Sequence, residues 1–118
     1  MVSSRKLKAL FIVGVLAATL AAAQAFADPR LQGSWLWDGP SHAGIIINGP
    51  NFVWIIEEAG GTFIGNFSVS GNVATFNVTH FVDELDGLWY AYNETWRYHF
   101  SFQTNNRLVI NNWIYLRS

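Results

Sequence analysis

Apolar and polar side chains alternate with a period of two along most of the chain after residue 30. No stretch there shows the three-to-four spacing of an amphipathic helix. Period-two alternation is typical of β-strands that bury one face, so the pattern predicts an all-β domain. The clearest apolar rows are Phe63, Gly65, Phe67 and Val69; then Ala74, Phe76, Val78 and His80; then Tyr92, Trp96, Tyr98, Phe100 and Phe102.

Turn residues divide this pattern into eight short strands. Gly and Asn between the strands tolerate the positive φ of tight hairpins, and such short connections make neighbouring strands antiparallel and sequential. A meander of this kind removes its exposed edges by closing on itself, which predicts a small antiparallel up-and-down barrel of about eight strands. The predicted strands are 31–38, 43–48, 51–58, 61–69, 73–81, 92–102, 105–110 and 112–117.

Two parts of the predicted barrel carry apolar residues beyond the core rows. Strands 43–48 and 51–58 are apolar on both faces, so either a loop covers their outer side or they form a contact surface. The longest predicted connection, 82–91, combines three acidic residues with Trp89 and Tyr90. These two aromatic residues are expected to form a lid or a protein contact, or to fold back over the end of the barrel.

The N-terminal residues 1–27 have the three-part layout of a secretory signal peptide. Arg5, Lys6 and Lys8 precede an apolar run at 9–23, and Ala25-Phe26-Ala27 supplies small residues for cleavage after Ala27. We therefore expect a signal-peptide helix, cleaved to leave a single domain at 28–118 that is secreted or periplasmic. The run is shorter than the roughly 20 residues of a membrane span, and no Cys follows it for lipid attachment.

Composition restricts the partners of the 28–118 domain. Four Arg face eight acidic residues there, a formal charge of about −4, which disfavours nucleic acids and anionic membranes. The chain has no Cys, so no disulfide supports a domain of marginal size. Its abundant Trp, Tyr and Phe, each burying roughly 150–250 Å², are expected to hold the fold instead.

The two ends of the domain resemble a known superfamily. Gly33-Ser34-Trp35 stands on the first strand and Arg117 on the last. A Gly-x-Trp start with a C-terminal Arg resembles the lipocalins and other calycins, and the strand pattern is similar to small bacterial lipocalin-like proteins. The resemblance implies a structural plug in which Arg117 packs across the Trp35 indole at the barrel base. It also implies that a small apolar molecule binds inside.

The ligand-binding residues are predicted from the inward rows and the long connection. An eight-stranded barrel is just wide enough to fill with side chains or to hold one small ligand. The rings are numerous enough to fill it, whereas the small inward residues Gly65 and Ala74 leave room for a pocket. The predicted ligand-binding residues, inside the barrel or at its mouth, are Phe63, Phe67, Phe76, Trp96, Tyr98, Phe100, Trp89 and Tyr90.

No motif in the sequence indicates catalysis, a metal site or a cofactor. There is no thiol, no nucleophile elbow and no Gly-rich phosphate loop, so we expect a non-enzymatic protein. His42, His80 and His99 lack the spacing of metal ligands. Glu94 falls in the apolar row of its strand and is expected at the barrel mouth, since a buried carboxylate is costly.

Three functions are compatible with this sequence. The first is binding of a small apolar ligand in or at the mouth of the barrel. The second is a protein-interaction module, such as an inhibitor or an envelope-complex component, with a filled core. The third is an outer-membrane barrel, disfavoured because several strands are shorter than the roughly 9–11 residues that a membrane requires.

Overall fold

The alternating rows of the sequence become eight β-strands in the computed structural model, which describes residues 28–118. The helical segments of these residues are two short 3₁₀ turns, Pro29–Leu31 and Glu57–Ala59, and no helix there could span a membrane. The predicted signal peptide, residues 1–27, lies outside the described residues. The strands are β1 (Gly33–Trp37), β2 (Ala43–Asn48), β3 (Asn51–Ile56), β4 (Gly61–Ser70), β5 (Val73–Asp83), β6 (Trp89–Thr104), β7 (Arg107–Ile110) and β8 (Trp113–Arg117).

Each strand pairs antiparallel with the next, and the last pairs with the first. β1 and β8 close the barrel through the register Trp35↔Arg117 and Trp37↔Tyr115. The prediction of an all-β, up-and-down barrel of eight strands is therefore confirmed. This closure brings the two chain ends of the domain together, so that residues far apart in sequence share each end of the barrel.

Aromatic and aliphatic side chains fill the inside of the barrel. Trp54 illustrates the packing, because its indole lies within 6.3 Å, between ring centroids, of five other aromatic rings. The buried core consists of Leu31, Trp35, Ile45, Ile47, Phe52, Trp54, Phe63, Phe67, Val69, Ala74, Phe76, Val78, Phe100, Leu108, Ile110 and Tyr115.

The predicted long connection 82–91 is wrong, because β5 and β6 extend into it. Trp89 and Tyr90 belong to β6 and pair with Val82 and Phe81. The turn between the strands is closed by Asp83, whose carboxylate accepts hydrogen bonds from two turn amides and whose carbonyl accepts one from Gly87. An Asp side chain that closes a turn in this way shortens the loop that the composition suggested.

The predicted inward position of His80 is also wrong. Against β4 the register shifts between Val78 and His80, so Thr79 is an extra residue in β5 there. Against β6 the extra residue lies in β6 instead, where Tyr92 and Asn93 stand opposite Thr79. Because side chains alternate along a strand, one inserted residue exchanges the two faces beyond it. His80 is consequently exposed, and Phe81 takes the inward position, where its ring packs 5.0 Å from that of Phe63.

The small inward residue Gly65 does not open a pocket, which was one of the two alternatives for the barrel interior. It faces Phe52 of β3 and lies beside the register shift with β5. A Cβ added there would overlap the carbonyl oxygen of Asn77 and lie 2.9 Å from its carbonyl carbon. The space beside Gly65 is thus occupied by the backbone of β5.

The outer faces of β2 and β3 are exposed, so the expected alternative of a covering loop does not apply within residues 28–118. Ile46 and Ile55 are exposed to solvent, and no loop of the described part of the chain covers them. Leu36 of β1 and Leu116 of β8 pair beside them and are exposed as well. The barrel therefore carries an apolar strip on the outside of β8, β1, β2 and β3.

Candidate functional site

One end of the barrel is closed by the chain termini of the domain. The Trp35 indole is fully buried and donates a hydrogen bond from Nε1 to the Leu31 carbonyl at 3.0 Å. The Arg117 guanidinium lies 4.2 Å from the centroid of that indole and donates to the carbonyls of Gln32 (2.9 Å) and Arg30 (2.8 Å). This geometry combines a cation–π contact with hydrogen bonds to exposed backbone.

Three of the predicted ligand-binding rings lie deep in the core. Phe67, Phe76 and Phe100 are buried, and the first two stack at 5.7 Å between centroids. Phe76 also contacts Phe52 edge-on at 5.0 Å and Trp54 at 4.9 Å. Of the two possibilities for the interior, a filled barrel or one with a pocket, the structure shows the first in the middle of the barrel, where the rings pack closely.

The other five predicted ligand-binding residues lie progressively closer to solvent. Phe63 is buried and contacts the half-buried Trp96 at 4.9 Å, while Tyr98 is also half-buried. Trp89 and Tyr90 are exposed near the β5–β6 turn. The structure therefore brings Phe63, Trp96 and Tyr98 to the edge of the core and leaves Trp89 and Tyr90 on the surface.

Glu94 stands in solvent near the start of the long strand β6. Its carboxylate accepts a hydrogen bond from the Tyr92 hydroxyl at 2.6 Å and one from the Trp96 indole at 2.8 Å. These two donors lower the pKa of Glu94, since both favour the charged form. The inward row of β6 thus contains an exposed carboxylate between two aromatic hydrogen-bond donors, Tyr92 and Trp96.

An apolar cleft opens at the end of the barrel opposite to Arg117, where β1 ends and β8 begins. Its volume is about 210 Å³. Four aromatic rings and two aliphatic side chains form its walls, and one carboxylate stands among them. The cleft is lined by Trp37, Ala43, Trp54, Ile56, Glu58, Trp113 and Tyr115.

The alternation of two short strands places the aromatic walls of this cleft. Trp37 follows Trp35 by two residues on β1, so both face inward, and Trp37 pairs with Tyr115 across the closure. Trp113 precedes Tyr115 by two residues on β8 and shares its face. Trp54 lies below them, edge-on to Trp113 at 6.3 Å and to Tyr115 at 6.2 Å.

Two oxygen-bearing side chains give the cleft its electrostatic character. Glu58, in the 3₁₀ turn after β3, accepts a hydrogen bond from the Ser41 hydroxyl, which lowers the pKa of its carboxyl. Burial raises the pKa of the Tyr115 phenol to about 12, the hydrogen bond with Trp54 opposes this shift, and the negative charge of Glu58 adds to it. At neutral pH the cleft therefore holds one negative charge beside a neutral phenol.

None of the seven residues that line the cleft is among the eight predicted ligand-binding residues. The sequence signal that could have found them is the pair of short rows Trp35–Trp37 and Trp113–Tyr115. Each row supplies only two inward residues, and the cleft arises only when β1 and β8 pair. Glu58 carries no comparable signal, because its position depends on the turn after β3.

Comparison with protein-family models, with curated proteins and with solved structures gives no match for this chain. An eight-stranded antiparallel barrel is compatible with a lipocalin-like fold. Within residues 28–118, no group of three or more His, Cys, Asp or Glu side chains is placed to hold a metal ion. The apolar cleft is thus the candidate site with the most definite geometry.

Proposed function

We propose that this chain is an exported, lipocalin-like, non-enzymatic protein that binds a small apolar ligand at the mouth of its barrel. The observation that carries the proposal is the cleft of about 210 Å³ with four aromatic rings, above a core filled by packed side chains. The pairing of Trp35 with Arg117 at the closed end supports the lipocalin-like assignment. The layout of residues 1–27 supports export.

The size of the cleft limits the ligand. Sites for drug-sized molecules usually measure about 300–1,000 Å³, whereas an apolar cavity of about 150 Å³ already binds benzene. A cleft between these values fits a molecule, or the end of a molecule, of one or two rings. We therefore place the ligand at the mouth, and Phe67, Phe76 and Phe100 act as the packed floor beneath it.

Replacing Trp113 by Ala is expected to weaken binding of indole, as a neutral two-ring probe, about tenfold. Trp113 is 39% exposed, so its removal deletes a wall of the cleft with little loss of core packing. The measurement is isothermal titration of the wild type and of Trp113→Ala. Trp89→Ala is the matched control, because Trp89 is 63% exposed and lies outside the cleft. Failure of the wild type to bind indole and every other small organic probe, neutral or charged, would refute the proposal.

A second function, contact with a partner protein, is favoured by the β5–β6 hairpin. β7 pairs with β6 at Phe100–Thr104, so among residues 28–118 the segment 89–99 of β6 has a strand partner on one side only. Leu85, Leu88 and Trp89 project from the same hairpin as exposed apolar side chains. A free strand edge beside apolar anchors is a common arrangement for recognition by strand addition.

For this second function, the double variant Trp89→Ala/Tyr90→Ala is expected to weaken partner capture at least about tenfold, as is usual for large aromatic anchors. Pull-downs from envelope extracts with wild type, the double variant and Trp113→Ala would measure it. Retention of the same partner by the double variant, or capture that depends on Trp113 instead, would exclude the hairpin as the contact.

A further inference from the structure

We infer that the cleft recognises an organic cation, specifically a methylated or quaternary ammonium group, which enters between its aromatic walls and faces Glu58. This inference rests on the proposed function and names the chemical class of its ligand. It starts from the composition of the cleft walls: Trp37, Trp54, Trp113 and Tyr115 present four π-systems around a volume of about 210 Å³.

The arrangement of the rings matches what a cation requires. Trp113 and Tyr115 each meet Trp54 nearly perpendicularly, with interplanar angles of 84° and 77°. These three rings therefore do not lie parallel, so the cleft is not a slot between stacked rings for one flat molecule. The negative face of an aromatic ring attracts a cation, and sites lined by several aromatic rings are used for quaternary ammonium groups.

Charge complementarity points in the same direction. Glu58 is the single charged side chain that lines the cleft, and none of the ion pairs within residues 28–118 occupies its carboxylate. Its hydrogen-bond partner is the neutral Ser41 hydroxyl. An anionic ligand would meet both this carboxylate and the negative faces of the rings, so the cleft disfavours anions.

Other occupants fit the same residues less well. A hard metal ion such as Ca²⁺ or Mg²⁺ needs about six or more oxygen ligands, and one carboxylate among indoles does not supply them. A neutral apolar molecule would fill the cleft but would gain nothing from Glu58. A methylated ammonium uses every feature, because its methyl groups displace water from the apolar walls and its charge meets both the rings and the carboxylate.

The test compares choline with 3,3-dimethyl-1-butanol, its neutral carbon analogue, by isothermal titration of the purified protein. We expect choline to bind about tenfold more tightly than the analogue, given the strength of cation–π contacts. Glu58→Gln is expected to weaken choline binding about threefold to fivefold, as for a solvent-accessible ion pair, and to leave the analogue unaffected. Trp113→Ala should weaken both.

Glu57→Gln is the matched control, because Glu57 adjoins Glu58 in the chain but faces His42 and lines a different surface groove. It should leave choline binding unchanged. Equal binding of choline and the neutral analogue, or equal effects of Glu57→Gln and Glu58→Gln, would overturn the cation inference while the proposed apolar site stands. If choline, the analogue and indole all fail to bind, the proposed function itself is refuted.

Discussion

Gly65→Ala is expected to destabilise the barrel by about 3 kcal/mol or more, although it adds a single methyl group. The added Cβ would overlap the carbonyl oxygen of Asn77, which belongs to the backbone of β5 and cannot rotate away. Relief requires β5 to move from β4, against a close-packed core and a ladder of hydrogen bonds. Urea unfolding followed by far-UV circular dichroism would measure the loss.

Gly71→Ala separates this steric effect from the general cost of replacing a glycine. Gly71 has φ +59° in the β4–β5 turn, and a Cβ there would have no atom within 4 Å. Its replacement should lower the free energy of unfolding by about 1 kcal/mol, the cost of placing an alanine in the left-handed backbone conformation. Gly65 has no such backbone requirement, so equal losses at the two positions would show that β4 and β5 do not approach as closely as described.

The contrast between these glycines shows what the sequence reveals and what it conceals. Gly71 follows Ser70 between two alternating rows, and that pattern is enough to predict a hairpin. Gly65 occurs inside an alternating row, where the sequence shows only a small inward residue. Whether such a residue leaves a pocket or admits a neighbouring backbone depends on the bulge at Thr79, which no composition signal marks.

Strand order and barrel closure could be predicted because they depend on local rules that act all along the chain. Alternation identifies the strands, turn residues separate them, and short connections make them sequential. The same rules fail where an extra residue in one strand changes the hydrogen-bond register, because the side chains beyond it then point to the opposite face. The extra residue Thr79 opposite β4 turns His80 outward, and the turn closed by Asp83 lets β6 begin at Trp89, so that Trp89 and Tyr90 belong to it.

The site was harder to predict than the fold, because it depends on long-range closure. The cleft combines side chains from β1, β3 and β8 with Glu58 from a turn. Two inward residues on a short strand are too few to suggest a binding surface. The predicted ligand-binding residues therefore came mainly from the long alternating rows of β4, β5 and β6. Those long rows supply much of the packed core instead, since long strands cross the middle of a barrel.

Trp35→Ala is expected to cost about 3–5 kcal/mol, the range for removing a large buried aromatic side chain. Trp35 is 0% exposed, and its indole contacts Phe102 at 5.9 Å as well as the Arg117 guanidinium. The substitution leaves a cavity at the closed end and removes the hydrogen bond to the Leu31 carbonyl. Because small domains often have total stabilities near 5 kcal/mol, a substantial unfolded fraction should appear without denaturant.

Leu36→Ala is the matched control for this experiment, since it truncates the next residue of the same strand. Leu36 is 56% exposed on the outer face, so its loss should change stability by no more than about 0.5 kcal/mol. We expect the two variants to lose very different amounts of unfolding free energy, because neighbouring residues of one strand point to opposite sides of the barrel wall. Similar small losses at both positions would mean that the wall of β1 does not separate a dry interior from solvent. The cleft beside Trp37 would then lose its packed floor, so this comparison also tests the structural basis of the proposed binding site.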